Sequence, residues 1–359
     1  MKRVSAFLCI PSLLFFTLFV FVPPVLAADH LHTADHFHIF IYHRFGDDRY
    51  PSTNISLTDF AAQMRYLRDH GYQVMRAGEA ISLWRAKKPF PPKAVVLTVD
   101  DAYTTFKTGA MPILRQYNFP VTLFVNTDSV GRKDSLDWNE LRELAKEGVE
   151  IGNHSATHDS LTAQRTNESI PSYQQRLHRD LDRAQQALIR ELGLTPQLFA
   201  YPYGEYSKLT EEIVEEYGFL AAFAQHSGVI GNDDPPYALA RTPLTGSYAT
   251  LQQMQQKLAL RPLPVKIIAP ADTLLGPENP PTLILEVLDP QLDLKTLRLF
   301  VNGQPGGMVQ RDPQHARRII VRGSKPLEGG RSRYILTAPG RETGTFYAYT
   351  QFWLSRSRP

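Results

Sequence analysis

The chain has 359 residues, with 39 Lys or Arg against 36 Asp or Glu and a formal net charge of +3. That near balance argues against a nucleic-acid binder, whose electrostatic footprint is a strongly basic face. A length of this order buries a large core and accommodates two domains, while a single cysteine, Cys9, excludes a disulfide framework.

The N-terminus reads as a secretory signal peptide over residues 1–27. It has the basic start Met1-Lys2-Arg3, an apolar stretch from Ala6 to Val22, and Val25-Leu26-Ala27 before Ala28-Asp29. Cleavage after Ala27 removes Cys9 and leaves no transmembrane segment. It places a near-neutral mature protein in the periplasm or outside the cell, free or associated with the envelope. The competing reading is a retained anchor, which Pro11, Pro23 and Pro24 weaken.

From His38 to about Gln256 short apolar runs alternate with amphipathic segments, the pattern of a βα architecture. Strands are predicted from His38 to Tyr42, Ala94 to Val99, Val121 to Asn126, Val149 to Asn153, Gln197 to Tyr201 and Leu220 to Ala224. Helices are predicted from Leu57 to His70, Ala110 to Tyr117, Trp138 to Glu147, Ser172 to Leu192 and Lys208 to Tyr217. Gly71, Gly148, Gly193 and Gly218 stand at helix exits, where a left-handed residue is needed.

Periodicity fits either a distorted β/α barrel or an open α/β sheet, and the polar residues favour the barrel. His43, Asp100, Asp101, Asn126, His154 and Tyr203 fall at or just past the C-terminal ends of predicted strands, where such a barrel gathers its active site. His30, His32, His36 and His38, just before His43, read as solvated leader residues. These features assign residues 28–260 to the barrel.

After Leu260 the composition changes. Arg261-Pro262-Leu263-Pro264 opens a proline-rich joint, and strands are predicted from Thr282 to Leu288, Thr296 to Val301, Arg317 to Val321, Arg333 to Thr337 and Thr345 to Trp353. Asn302-Gly303 is a hairpin-type turn signal. Residues 261–359 therefore read as a small all-β sandwich of immunoglobulin-like size. Its aromatic strand of Phe346, Tyr347, Tyr349, Phe352 and Trp353 is expected to serve the sandwich core rather than to stack on sugars.

The chemistry lies in a split constellation. Thr98-Val99-Asp100-Asp101 ends one apolar run and His154-Ser155-Ala156-Thr157-His158 follows another. Two imidazoles and a carboxylate suit a catalytic zinc-type ion with coordination positions left open, so Asp101, His154 and His158 are the candidate ligands. Zinc is the expected metal, with cobalt or nickel as substitutes. A four-residue spacing puts both imidazoles on one face of a helical turn. Asp100 is then free to take a proton from the attacking water.

This arrangement resembles the polysaccharide deacetylases, carbohydrate esterase family 4, in their Thr-Phe-Asp-Asp and His-Ser/Thr-x-x-His motifs. The third family motif, Arg-x-Pro-Tyr or Phe, corresponds to Ala200-Tyr201-Pro202-Tyr203, with alanine in place of arginine. The resemblance implies that the Tyr203 N–H faces the oxyanion, and Arg241 is the candidate to orient Asp100 in place of the missing arginine. Tyr42-His43-Arg44-Phe45 resembles a permuted branch in which the first strand supplies the catalytic histidine, making His43 the general acid. That branch includes exported deacetylases of poly-β-1,6-N-acetylglucosamine.

The resemblance thus implies a metal-dependent N-deacetylase with an acetylated polysaccharide as its partner; it fixes no oligomeric state. Two other readings are an O-acetyl esterase on an envelope glycan and a glycan-binding protein whose catalytic power has lapsed.

Overall fold

The computed structural model describes residues 34–355. The expected signal peptide over residues 1–27 lies outside them.

Residues 38–243 build one parallel sheet with helices on its outer face. Its strands are β1 (His38–Tyr42), β2 (Gln73–Met75), β3 (Ala94–Asp100), β4 (Thr122–Val125), β5 (Glu150–Asn153), β6 (Leu198–Ala200), β7 (Ala221–Phe223) and β8 (Thr242–Pro243). They run in the order β8-β1-β3-β4-β5-β6-β7, with β2 paired to the first half of β3. Strands covered on both faces read as unbroken apolar runs, and every residue of β1 and β3 is buried.

Side-chain alternation then divides the core. Phe40, Tyr42, Val95, Leu97 and Val99 pack outward under the helices α1 (Leu57–Asp69) and α3 (Met111–Tyr117). Phe37, Ile39, Val96, Phe124, Ala200 and Phe223 fill the inner face. The sheet curls on itself: Leu239 bridges to Phe223 of β7, and the same segment continues into β8 beside β1.

The six predicted strands and five predicted helices appear within one or two residues of their expected bounds. All four glycines at the helix exits, Gly71, Gly148, Gly193 and Gly218, are left-handed, with φ of +69°, +104°, +67° and +70°. Among the elements that escaped the sequence reading are β2, β8, the helix α2 (Ala77–Arg85), a helix at Leu251–Leu258 and the later strands Val265–Ala269 and Gly307–Arg311. Strand β2 is only three residues long. Helix α2 carries a legible stripe of Ala77, Ala80, Ile81 and Trp84, but no side chain caps its start.

After Leu260 two further sheets share one apolar core, which contains Leu283, Leu285, Ile319, Val321, Tyr334, Leu336 and Trp353. One joins Leu260–Pro262, Phe346–Leu354, Arg331–Pro339, Arg298–Val301 and Gln304–Pro305; the other joins Val265–Ala269, Thr282–Val287, Arg318–Gly323 and Gly307–Arg311. Asn302 and Gly303 turn the hairpin with φ of +51° and +85°, as a tight primed turn requires. Among the described residues no helix is long and apolar enough to cross a membrane.

The reading of His36 and His38 as solvated fails for His38. It is buried in β1 and its ring stacks 6.3 Å from Phe40, because strand pairing draws the whole of β1 into the core. Burial pushes its imidazole down to about 3 and that of His226, stacked 6.2 Å from Phe352 of the tail, down to about 4. An unfolded histidine titrates near 6.5, so the unfolded chain binds protons that the folded one refuses. The stability held by these groups is full above pH 6.5 and is lost as the pH falls toward 4. His226 alone should account for about 3 kcal/mol of that loss. In urea unfolding at pH 6.5, 5 and 4, His226→Phe should flatten the decline; an unaltered slope would refute the assignment.

Candidate active site

Strand register collects the site. Tyr42 pairs with Val99, which sets His43 beside Asp100 at the upper end of β1 and β3. Asp100 pairs with Phe124, and Asn153 of β5 pairs with both Val125 and Phe199. His154 and Ala200 are therefore neighbours, and the His154 Nδ1–H donates to the Ala200 carbonyl at 2.7 Å. This bond fixes the tautomer and leaves Nε2 with its lone pair directed into the site.

Asp101, His154 and His158 present ligand atoms that all lie within 4.8 Å of one another. The His158 Nε2 is 3.2 Å and the His154 Nε2 3.6 Å from Asp101 Oδ1, a buried oxygen with no hydrogen-bond partner among the described residues. A buried, unsatisfied carboxylate oxygen facing two imidazole nitrogens is an arrangement that a divalent cation completes. Burial pushes His154 down to about 4, against the opposing pull of Asp100 and Asp101, which keeps its imidazole neutral as a ligand must be.

The helical turn expected for residues 154–158 is absent. Ser155 and His158 take φ of +63° and +61°, and the loop is pinned from outside. Asp180 accepts from the Ala156 and Thr157 N–H groups, and Ser155 Oγ accepts from the His158 N–H at 3.1 Å. The imidazoles converge because these hydrogen bonds hold a left-handed loop, not because of helical periodicity. Asp101 and Ala102 are left-handed too, at +74° and +51°. Such backbone is costly for residues with a Cβ and persists where surrounding contacts enforce it. Here it swings Asp101 toward the histidines while Asp100 stays on the strand.

Asp100 faces Arg241. The guanidinium donates through Nη1 to Oδ1 at 2.7 Å and through Nη2 to Oδ2 at 2.8 Å, and its Nε–H donates to the Ala224 carbonyl at 3.0 Å. Arg241 is fully buried and rises from the start of β8 through the curled sheet, past the Phe124 and Phe223 rings at 5.2 and 5.9 Å. Burial acts to raise the Asp100 carboxyl, but the Arg241 charge, His154 and the paired hydrogen bonds outweigh it and hold the group down to about 2. The position left small by Ala200 is thus served from another strand.

His43 is buried at the same rim, and its Nδ1 has no hydrogen-bond partner among the described residues. Tyr203 sits on a tight turn with φ of +59° and packs its ring 4.6 Å from that of His158. The following Gly204 is obligatory, since a Cβ there would lie 2.2 Å from the Gln225 backbone nitrogen. Asn126, also expected at the rim, turns aside to donate to Ser129 Oγ at 2.9 Å. Asp180 was missed, although it left a signal: a lone carboxylate inside the apolar stripe of Tyr173, Leu177, Leu181 and Ala184.

The ion pair predicts its own energetics. Removing Arg241 alone strands a buried carboxylate, so Arg241→Leu should cost about 3–5 kcal/mol in urea unfolding. The double variant with Asp100→Asn should lose less than the two singles together, by about 1 kcal/mol or more. Strict additivity would mean that the pair is not coupled.

The family model described as polysaccharide deacetylase matches residues 87–222, a span that contains Asp100, Asp101, His154, His158 and Tyr203 but neither His43 nor Arg241. The chain is 26% identical over 306 residues to the poly-beta-1,6-N-acetyl-D-glucosamine N-deacetylase of Escherichia coli strain K12, covering 74% of this chain and 45% of that protein. It therefore spans less than half of that relative. It is 25% identical over 210 residues to the Staphylococcus aureus (strain MRSA252) enzyme of the same name, covering 56% of this chain and 71% of the relative. The solved structure of IcaB from Ammonifex degensii superimposes with a TM-score of 0.54 at 27% identity, covering 63% of this chain and 98% of that one. Residues 87–222 thus carry a polysaccharide deacetylase domain, and the chain's homologues include proteins named poly-beta-1,6-N-acetyl-D-glucosamine N-deacetylase.

Proposed function

We propose that this protein is an exported, metal-dependent N-deacetylase of an N-acetylhexosamine polymer, with poly-β-1,6-N-acetylglucosamine as its substrate class. The observation that carries the reading is the buried Asp100–Arg241 pair set directly beside the Asp101, His154 and His158 cluster. The linkage rests on the relatives that bear that name. Export rests on the leader over residues 1–27.

Asp101, His154 and His158 would hold the cation, and two imidazoles with one carboxylate favour zinc, with cobalt or nickel as substitutes. Bound there, such an ion supplies a Lewis acid that polarises the acetyl carbonyl and lowers the pKa of water. Asp100, kept ionised and fixed by Arg241, accepts a proton from the water that attacks the carbonyl carbon. The Tyr203 N–H donates to the oxygen as it gains charge. His43 delivers a proton to the amine nitrogen as the C–N bond breaks, leaving acetate and a free amine on the sugar. We assign residues 28–260 to this catalytic unit and residues 261–359 to an immunoglobulin-like sandwich.

The test is acetate and amine release from acetylated β-1,6- and β-1,4-glucosamine oligomers by the metal-loaded protein. Asp100→Asn should lower kcat by about 10²–10⁴-fold with bound metal unchanged. Asp101→Asn, His154→Ala and His158→Ala should each lose metal. Acetate without amine would identify an O-acetyl esterase, and no release despite bound metal would identify a binding protein.

A further inference from the structure

The turn that carries Tyr203 is held from the C-terminal sheets. Arg331 opens the strand Arg331–Pro339, and its Nη2–H donates to the Tyr203 carbonyl oxygen. Its Nε lies 3.1 Å from Glu205 Oε1. Glu205 is almost wholly buried, and its other oxygen accepts from Ser160 Oγ at 2.5 Å. Ser160 belongs to the loop that has just supplied His158. One carboxylate thus ties the histidine loop to the tyrosine turn, and the tail supplies the cation that faces it.

Nearby contacts act in the same direction. Thr273 Oγ1–H donates to the Tyr206 carbonyl, and Asp272 Oδ1 accepts from the Lys208 N–H at 3.1 Å. The segment from Tyr203 to Lys208 is therefore gripped at several points by residues beyond the deacetylase sheet.

The physical need is plain. An N–H that stabilises a developing oxyanion works by being fixed before the charge appears. Tyr203 holds a left-handed φ that a residue with a Cβ leaves readily unless restrained. Pro202 restricts the turn on one side through its ring. Arg331 restrains it on the other, by binding the Tyr203 carbonyl while neutralising Glu205 two residues on.

We propose that Arg331 is a positioning residue for the reaction, so that the C-terminal sheets help to set the oxyanion-binding turn. The proposal rests on the assignment of the Tyr203 N–H as oxyanion donor. Arg331 touches no reacting atom and acts through Tyr203 and Glu205.

The experiment compares full-length wild type, Arg331→Ala, Arg331→Lys and Glu205→Gln. It reads kcat and KM on acetylated β-1,6-glucosamine oligomers, bound metal, thermal midpoint, and amide hydrogen exchange over residues 201–206. Arg331→Ala should lower kcat by about 10- to 100-fold, below the loss seen when a donor is removed outright. KM should stay within about twofold, metal should be retained, and exchange over 201–206 should accelerate. Arg331→Lys keeps a cation for Glu205 but lacks the fork, and should recover part of both losses. Should Arg331→Ala fail to fold, Arg331→Lys and Glu205→Gln carry the same comparison.

Unchanged kcat in Arg331→Ala overturns the proposal, whether or not exchange accelerates. A fall in kcat that only tracks the folded fraction, with exchange raised throughout the chain, also overturns it and leaves a general structural role. If wild type itself releases neither acetate nor amine, the deacetylase reading fails. The exchange comparison then decides separately whether Arg331 holds the turn, and unaltered exchange would overturn that as well.

Discussion

A carboxylate and a guanidinium, both removed from water, meet at the centre of this protein. Burying two charges is expensive, and the attraction between them offsets the cost only when geometry and additional hydrogen bonds are favourable. Arg241 meets that condition with a two-pronged contact to Asp100 and a third bond to the Ala224 carbonyl. Much else follows from its path. The guanidinium reaches Asp100 from the start of β8 through the interior of the curled sheet, while β6 contributes only the small, buried Ala200 to the same inner face. The rings of Phe124 and Phe223 line the way, where a delocalised cation is better tolerated than an ammonium would be.

With Asp100 committed to Arg241, the adjacent aspartate is released for a different task. Two neighbouring residues on an extended strand point to opposite faces. The chain breaks that rule by leaving the strand at once: Asp101 and Ala102 are left-handed, and the Asp101 carboxylate turns toward His154 and His158. The histidine loop answers with left-handed residues of its own. Positive φ at five non-glycine positions, Asp101, Ala102, Ser155, His158 and Tyr203, is concentrated where the polar side chains converge. The strain is carried by the surrounding hydrogen bonds, those of Asp180 foremost.

What could be read in the sequence follows the range of the forces involved. Buried parallel strands announce themselves as apolar runs, and the polar residues at their ends mark one rim, so β1 and β3 to β7 were legible. Short elements such as β2 were not, because three residues carry no period. At the site, residue identity was legible and conformation was not. The spacing of His154 and His158 suggests a helical turn, while the loop between them is shaped by Asp180, distant in the chain and visible only as a carboxylate on an apolar helix face. His38 misleads for a related reason: it follows a histidine-rich polar stretch that ends at His36, but it opens a strand that is buried along its whole length. Arg241 was identifiable as a candidate, yet its contact with Asp100 depends on the curl that brings β8 beside β1, which no local pattern encodes.

The same distinction bears on the C-terminal sheets. Their alternating strands predict a self-sufficient unit, and their core is indeed their own. Yet Leu260–Pro262 pairs with Phe346–Ala348, Thr350 Oγ1–H donates to the Ser227 carbonyl at 2.8 Å, and Phe352 stacks on the buried His226. The last two contacts are not needed to close an all-β core; they connect it to the loop that follows β7, as Arg331 and Thr273 connect it to the loop that follows β6. Those loops lie beside β7, which on its far side meets not a long strand but the short segment Pro236–Leu239, through backbone hydrogen bonds at Ala222 and Ala224. A sheet that does not close by its own strands leaves the loops at its open side without neighbours to restrain them. The tail supplies those neighbours, and a turn with the backbone of Tyr203 is the kind of structure that needs them.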